Sequence, residues 1–215
     1  MKLLAVVAAA AMATPSPQPS SQLKTIVNTR STPFFTSIAQ HFNAAVGPML
    51  ANDATLDQID PQLVDLNDVF HHPDYAIRYS TIRVKLMGQV AELQKSLPFM
   101  QQQINQLRQG ETLTKDPQDA KAIHQIAEKL QLAYNKQMQL ETDLTGVVRS
   151  MMDYQPPDNL DIAQEELAEQ QMPQDLRDIK SYLRFDGQRD VINQSENAAA
   201  DSAITLVQHT CAINK

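Results

Sequence analysis

Two long stretches of this chain repeat their apolar residues at alternating intervals of four and three, and that spacing limits the fold more than any other property. In the first, Leu86, Val90, Leu93, Leu97, Met100, Ile104 and Leu107 follow the rule. In the second, Ile123, Ile126, Leu130, Ala133, Gln137, Leu140, Leu144, Val147 and Met151 do the same, with Gln137 the one polar member. A period of 3.5 puts each set on one stripe of a helix, the pattern of a heptad seam. A short loop around Gly110 to Pro117 separates them, so the spacing predicts an antiparallel coiled-coil helical hairpin with arms at about 74–109 and 117–153. Each arm would span roughly 50 Å at a rise of ~1.5 Å per residue.

The rest of the chain agrees with helix. Five glycines and no tryptophan in 215 residues leave few turn positions for a sheet, while Gln, Ala, Leu, Glu and Lys are abundant. The expected fold is all-α: the hairpin, its open end packed by shorter N- and C-terminal helices into a multi-helix bundle. Thr32-Pro33 reads as an N-cap with proline in the first turn, opening a helix with Phe34, Phe35, Ile38, Phe42 and Val46 on one face. Gly47-Pro48 is expected to stop that helix. Residues 52–70 read as one or two short helices broken at Asp60-Pro61, and the final helix as Gln188 to about Thr210 after a turn at Phe185-Asp186-Gly187.

The seam on its own does not say how much of the hairpin is covered. A second apolar stripe, Ile77, Val84, Met87 and Ala91, turns polar at Gln94, Gln101, Asn105 and Arg108. On the return arm Tyr134, Met138, Val148 and Met152 form its counterpart. A helix needs a second stripe only where something packs on it. The hairpin is therefore expected to be covered near its open end and to protrude as a bare tip over about 94–131. Phe99 and Leu132 are large exceptions on that shaft. With Gln101, Asn105 and Arg108 they make the candidate interaction surface.

The N-terminus reads as an address. Lys2 followed by the apolar run Leu3 to Ala13, ending in Ala11-Met12-Ala13, has the form of a secretory signal peptide over 1–13. At eleven residues the run falls well below the roughly 20 that cross a bilayer as a helix. A Pro/Ser-rich linker and extended arm follow over 14–31. A single all-helical domain is expected over 32–211, with a tail at 212–215. The chain is thus expected to be exported, periplasmic or extracellular, with no membrane insertion after signal removal.

A formal net charge of −7 disfavours nucleic acid and anionic membranes as partners. Cys211 is the single cysteine, so it can pair only with another molecule, and it marks a candidate intermolecular disulfide in a homodimer. Asn193-Gln194-Ser195 matches the N-glycosylation acceptor pattern, although inside a predicted helix. His71-His72 with Asp74 is the densest group of metal-ligand types, but a structural zinc site needs four ligands. The region 153–178 is strongly acidic and reads as a solvated face or a dock for a basic partner.

Catalytic signatures are missing: no Gly-rich phosphate loop, Gly-x-Ser-x-Gly, His-Glu-x-x-His, Cys-x-x-Cys or paired Glu-x-x-His occurs. No cofactor is expected. The sequence favours a non-catalytic helical protein that meets an unknown protein partner, in a structural or adaptor role. The alternative is a binding module for an apolar small molecule, held between Phe34, Phe35 and Phe42 and the Met-bearing base of Met87, Met138 and Met152.

Overall fold

The computed structural model describes residues 33–157, 167, 168, 170–173, 176 and 182–213. The expected leader over 1–13, the linker over 14–31, most of the acidic segment after 157 and the side chains of Phe34, Phe35 and Cys211 lie outside the described residues. The chain is all-α, with four helices packed together in a bundle and no strand among the described residues. They are α1 (Pro33–Asn67), α2 (Tyr75–Leu113), α3 (Pro117–Asp153) and α4 (Tyr182–Ile213), with a 3-10 turn at Val69–His71 between α1 and α2.

α3 starts where a side chain satisfies free backbone N–H groups. Asp116 Oδ1 accepts from the backbone N–H of Gln118 at 2.8 Å, capping α3 in front of Pro117. Before α2, the carbonyl of Asp74 accepts from Ile77 and Arg78, while the Asp74 carboxylate pairs with Arg78 Nε at 2.7 Å.

Every residue of both predicted seams is buried, Gln137 included. The terminal helices depart from expectation. At 35 and 32 residues they are nearly as long as α2 and α3, and α1 runs unbroken through Gly47-Pro48 and Asp60-Pro61. The reason lies in a third seam. Ile38, Phe42, Ala45, Met49, Asn52, Leu56, Ile59, Leu63 and Leu66 keep the four-three spacing across both prolines, and all are buried. Each proline removes one helical hydrogen bond, and burial of the continuous apolar stripe outweighs the loss. In α4 the buried positions Ile192, Glu196, Ala199, Ala203 and Leu206 repeat the pattern, carrying the helix through Gly187 where a turn was expected.

The chain divides into two compact units. The first contains Met1–Asp53, Ser96–Gln137 and Gln188–Lys215; the second contains Ala54–Lys95 and Met138–Gly187. In the first, α1 and α4 pack along the segments of α2 and α3 that were expected to stand bare. His41 Nδ1 lies 2.8 Å from Gln103 Oε1, and Ile38 packs so closely on Gly110 that a Cβ there would meet its Cδ1. The protruding shaft over 94–131 is thus replaced, within this unit, by four helices in contact. The longer α1 supplies the cover.

The second unit is centred on an aromatic cluster. Phe70 lies 6.2 Å from Tyr75, 6.5 Å from Tyr79 and 6.4 Å from Tyr154, ring centre to ring centre. The buried Tyr79 hydroxyl donates to the Met151 carbonyl at 3.3 Å, and burial pushes its pKa well above the usual phenol range. Tyr75 donates to the Pro157 carbonyl and Tyr154 to that of Ala168, so the end of α3 and the chain after it are tied to the cluster.

Candidate functional site

Three of the four heptad stripes carry one polar residue each where apolar side chains are the rule, and the first unit brings these three together. They are Asn52 from α1, Gln137 from α3 and Glu196 from α4. Their hydrogen bonds run in one direction. Ser96 Oγ donates to Asn52 Oδ1 at 2.8 Å, and Asn52 Nδ2 donates to Gln137 Oε1 at 2.9 Å. Gln137 Nε2 then faces three acceptors, each at 3.4 Å: the Met49 carbonyl, Asp53 Oδ1 and Glu196 Oε1. From α2, Met100 completes the layer, its sulfur 3.5 Å from Asn52 Nδ2.

Asp53 and Glu196 are each only 3% exposed. Burial in the bundle, and then the adjacent Asp53 carboxyl, hold the Glu196 pKa well above the carboxylate range. Of these residues only Gln137 stood out in the sequence: the expected breaks in α1 hid Asn52, and Glu196, inside the expected final helix, is a polar residue on a stripe made mostly of alanine. The signal that finds them is the spacing itself: Asn52 and Glu196 fall in register on stripes that are otherwise apolar. A polar layer of this kind fixes register and helix order in bundles, at some cost in stability.

The second candidate is a surface on the second unit. Ile77, Val84 and Met87 on α2 were expected to be covered, yet Ile77 is 71% and Val84 64% exposed, and Met87 is exposed too. On α3, Met138 and Met152 are likewise exposed. The two stripes lie side by side. Gln94, one heptad after Met87, donates to Glu141 Oε1 at 2.6 Å and Thr145 Oγ1 at 3.3 Å, and Thr145 sits one heptad from both Met138 and Met152. The seam beneath is buried, and none of the described residues covers the second stripe. Adding a Cβ to Gly88, beside Val84 and Ala91, would meet nothing within 4 Å.

The residues singled out on the shaft belong to the first unit. Phe99 and Leu132 are 46% and 41% exposed, and Asn105 and Arg108 are exposed. Gln101 and Gln131 exchange hydrogen bonds of 3.1 and 3.0 Å, so Gln101 serves to join α2 to α3. Met87, Met138 and Met152 are exposed, while Phe42 is buried in the core. Asn193 and Ser195 are buried, which keeps the glycosylation acceptor out of reach in the folded chain.

His71 and His72 both point at Asp68, at 3.0 and 3.6 Å. Among the described residues no group of three His, Cys, Asp or Glu side chains is arranged to hold a metal ion. No helix among them is long and apolar enough to cross a membrane. The comparisons with known proteins found no family model, no related protein and no solved structure that matches this chain.

Proposed function

We propose that this protein is an exported, non-catalytic helical module that works through protein–protein contact, and that the contact is made by the apolar face of α2 and α3 in the second unit. The observation that carries the reading is the exposure of four large apolar side chains, Ile77, Val84, Met87 and Met152, on two adjacent helices, with Met138 exposed beyond the Gln94–Glu141 hydrogen bond. Contiguous apolar patches on soluble proteins mark interaction sites. The leader-like N-terminus supports export.

The occupant we assign is the same face of a second copy. A chain of net charge −7 repels its own copy wherever acid meets acid. The two stripes of this face carry a single charge, that of Glu141, whose Oε1 accepts from Gln94 Nε2 and Thr145 Oγ1, so few acids would meet across a pair. From Ile77 to Gln94 the face runs ~25 Å along helices ~10 Å wide, which gives a pair burying on the order of 1,000 Å² in total. An interface of that size suits reversible association. Native mass spectrometry of the full chain across a dilution series, with and without reductant, tests the reading. A dimer that persists in reductant and dissociates on dilution supports it; a monomer at all concentrations contradicts it.

A further inference from the structure

The polar layer of the first unit gathers two buried carboxyls around one amide nitrogen. The Gln137 amide nitrogen carries two hydrogens and faces three acceptors, the Met49 carbonyl, Asp53 Oδ1 and Glu196 Oε1, all at 3.4 Å. Its oxygen is engaged by Asn52, which fixes which end of the amide points at the carboxyls. Both carboxyls therefore sit within two hydrogen-bond lengths of each other in the interior. Glu196 Oε2 is buried, and among the described residues no side chain donates to it. Two carboxylates cannot both stay ionised so close together in a site of low polarity. One carboxyl proton removes a negative charge and supplies the missing donor.

We propose that Asp53 and Glu196 share a single proton, and that this proton latches α4 onto α1 and α3, so that the first unit grips α4 while the proton is bound and loosens it as pH rises. Among the described residues no positively charged side chain acts on Glu196. From α1 it meets Asp53, from α3 the uncharged Gln137. The α2 residues of the layer, Ser96 and Met100, are uncharged. Asp53 is the one ionisable side chain among the described residues that acts on it.

The direction of the effect follows from linkage. In the unfolded chain Glu196 ionises in the ordinary carboxylate range, whereas in the bundle burial and Asp53 raise its pKa. Folding therefore holds a proton that the unfolded chain has lost. The contribution is fully present below the unfolded value and disappears as pH rises through the folded one.

Urea denaturation of the full chain from about pH 5 to pH 9 should show the folding equilibrium constant falling, by up to tenfold per pH unit, over part of this span. Glu196→Gln keeps an acceptor toward Gln137 and gains a donor toward Asp53 without titrating. It should fold, be more stable than the natural chain at the alkaline end, and lose the slope. Asp53→Asn, which lowers the folded value only, should end the slope at lower pH. Hydrogen exchange in α4, corrected for intrinsic rates, should lose protection over the same span in the natural chain and keep it in Glu196→Gln. Identical pH profiles for the natural chain and Glu196→Gln would overturn the proposal. So would a rise in stability on adding calcium chloride at the alkaline end, which would make the pair a cation site.

Discussion

Asn52 and Gln137, 85 residues apart in sequence, are joined inside the first unit by a hydrogen bond of 2.9 Å from Asn52 Nδ2 to Gln137 Oε1. Each occupies a position where its own helix otherwise places an apolar side chain. Sliding either helix by one heptad would bring the amide against hydrocarbon and leave its buried groups unpaired, which costs about 1–3 kcal/mol for each group. The pair therefore specifies which residues of α1 and α3 lie at the same level.

Gln137→Leu should accordingly destabilise the chain by about 2–4 kcal/mol, because Asn52 loses its acceptor and the two carboxyls lose their donor. Replacing Asn52 and Gln137 together by leucine should cost less than the sum of the single changes, since neither is then left facing an unpaired amide. Urea denaturation of the three variants measures both effects.

The aromatic cluster makes a second prediction. Phe70 is buried against three tyrosines, so Phe70→Ala should cost about 3–5 kcal/mol by thermal or chemical denaturation. Tyr79→Phe removes only the hydroxyl that bonds the Met151 carbonyl and should cost about 1 kcal/mol.

Two glycines in helix interiors should respond in opposite senses. A Cβ at Gly146 meets nothing within 4 Å, so Gly146→Ala should raise stability by about 0.5–1 kcal/mol through helix propensity alone. At Gly110 the same change drives a methyl group into Ile38 Cδ1, and the propensity gain is offset by displacement of that side chain. Gly110→Ala should therefore fall below Gly146→Ala, and Gly110→Ala combined with Ile38→Val should recover part of the difference.

His124 offers a test of local electrostatics. Its Nδ1 lies 3.1 Å from Glu111 Oε2 and its Nε2 3.3 Å from Glu128 Oε1. The hydrogen bond to Glu111, with the charges of Glu111 and Glu128, raises its pKa above the usual histidine value. The attraction is present below the unfolded pKa and vanishes as pH rises through the folded one. An NMR titration of the ring protons should show a midpoint above that of a free histidine. Glu111→Gln should lower it more than Glu128→Gln does.

The spacing of apolar residues carried the two central helices, whose seams are buried residue for residue, and it pointed to Gln137 as a polar member of one of them. It carried as much information for α1, where the same period continues from Ile38 to Leu66. Reading Gly47-Pro48 and Asp60-Pro61 as stops hid that seam and, with it, Asn52. Local breakers act one residue at a time, whereas a seam sums over nine buried positions, so packing decided the matter. The partners of Gln137 could not be found from α3 alone, since they come from helices far away in sequence. The second stripe of Ile77, Val84 and Met87 was visible as a pattern. What no pattern distinguishes is a stripe covered by its own chain from one left open.

That open stripe is the most direct point of attack on the proposed function. Sedimentation equilibrium of the natural chain, in reductant and at concentrations spanning the micromolar range, should show a reversible monomer–dimer equilibrium. Val84→Glu, which places a charge in the middle of the face without touching the buried seam, should shift that equilibrium to monomer while leaving unchanged the helical circular dichroism and the unfolding midpoint measured at a dilution where both chains are monomeric. A natural chain that is monomeric throughout, or a Val84→Glu variant that dimerises as well as the natural chain, would contradict the account.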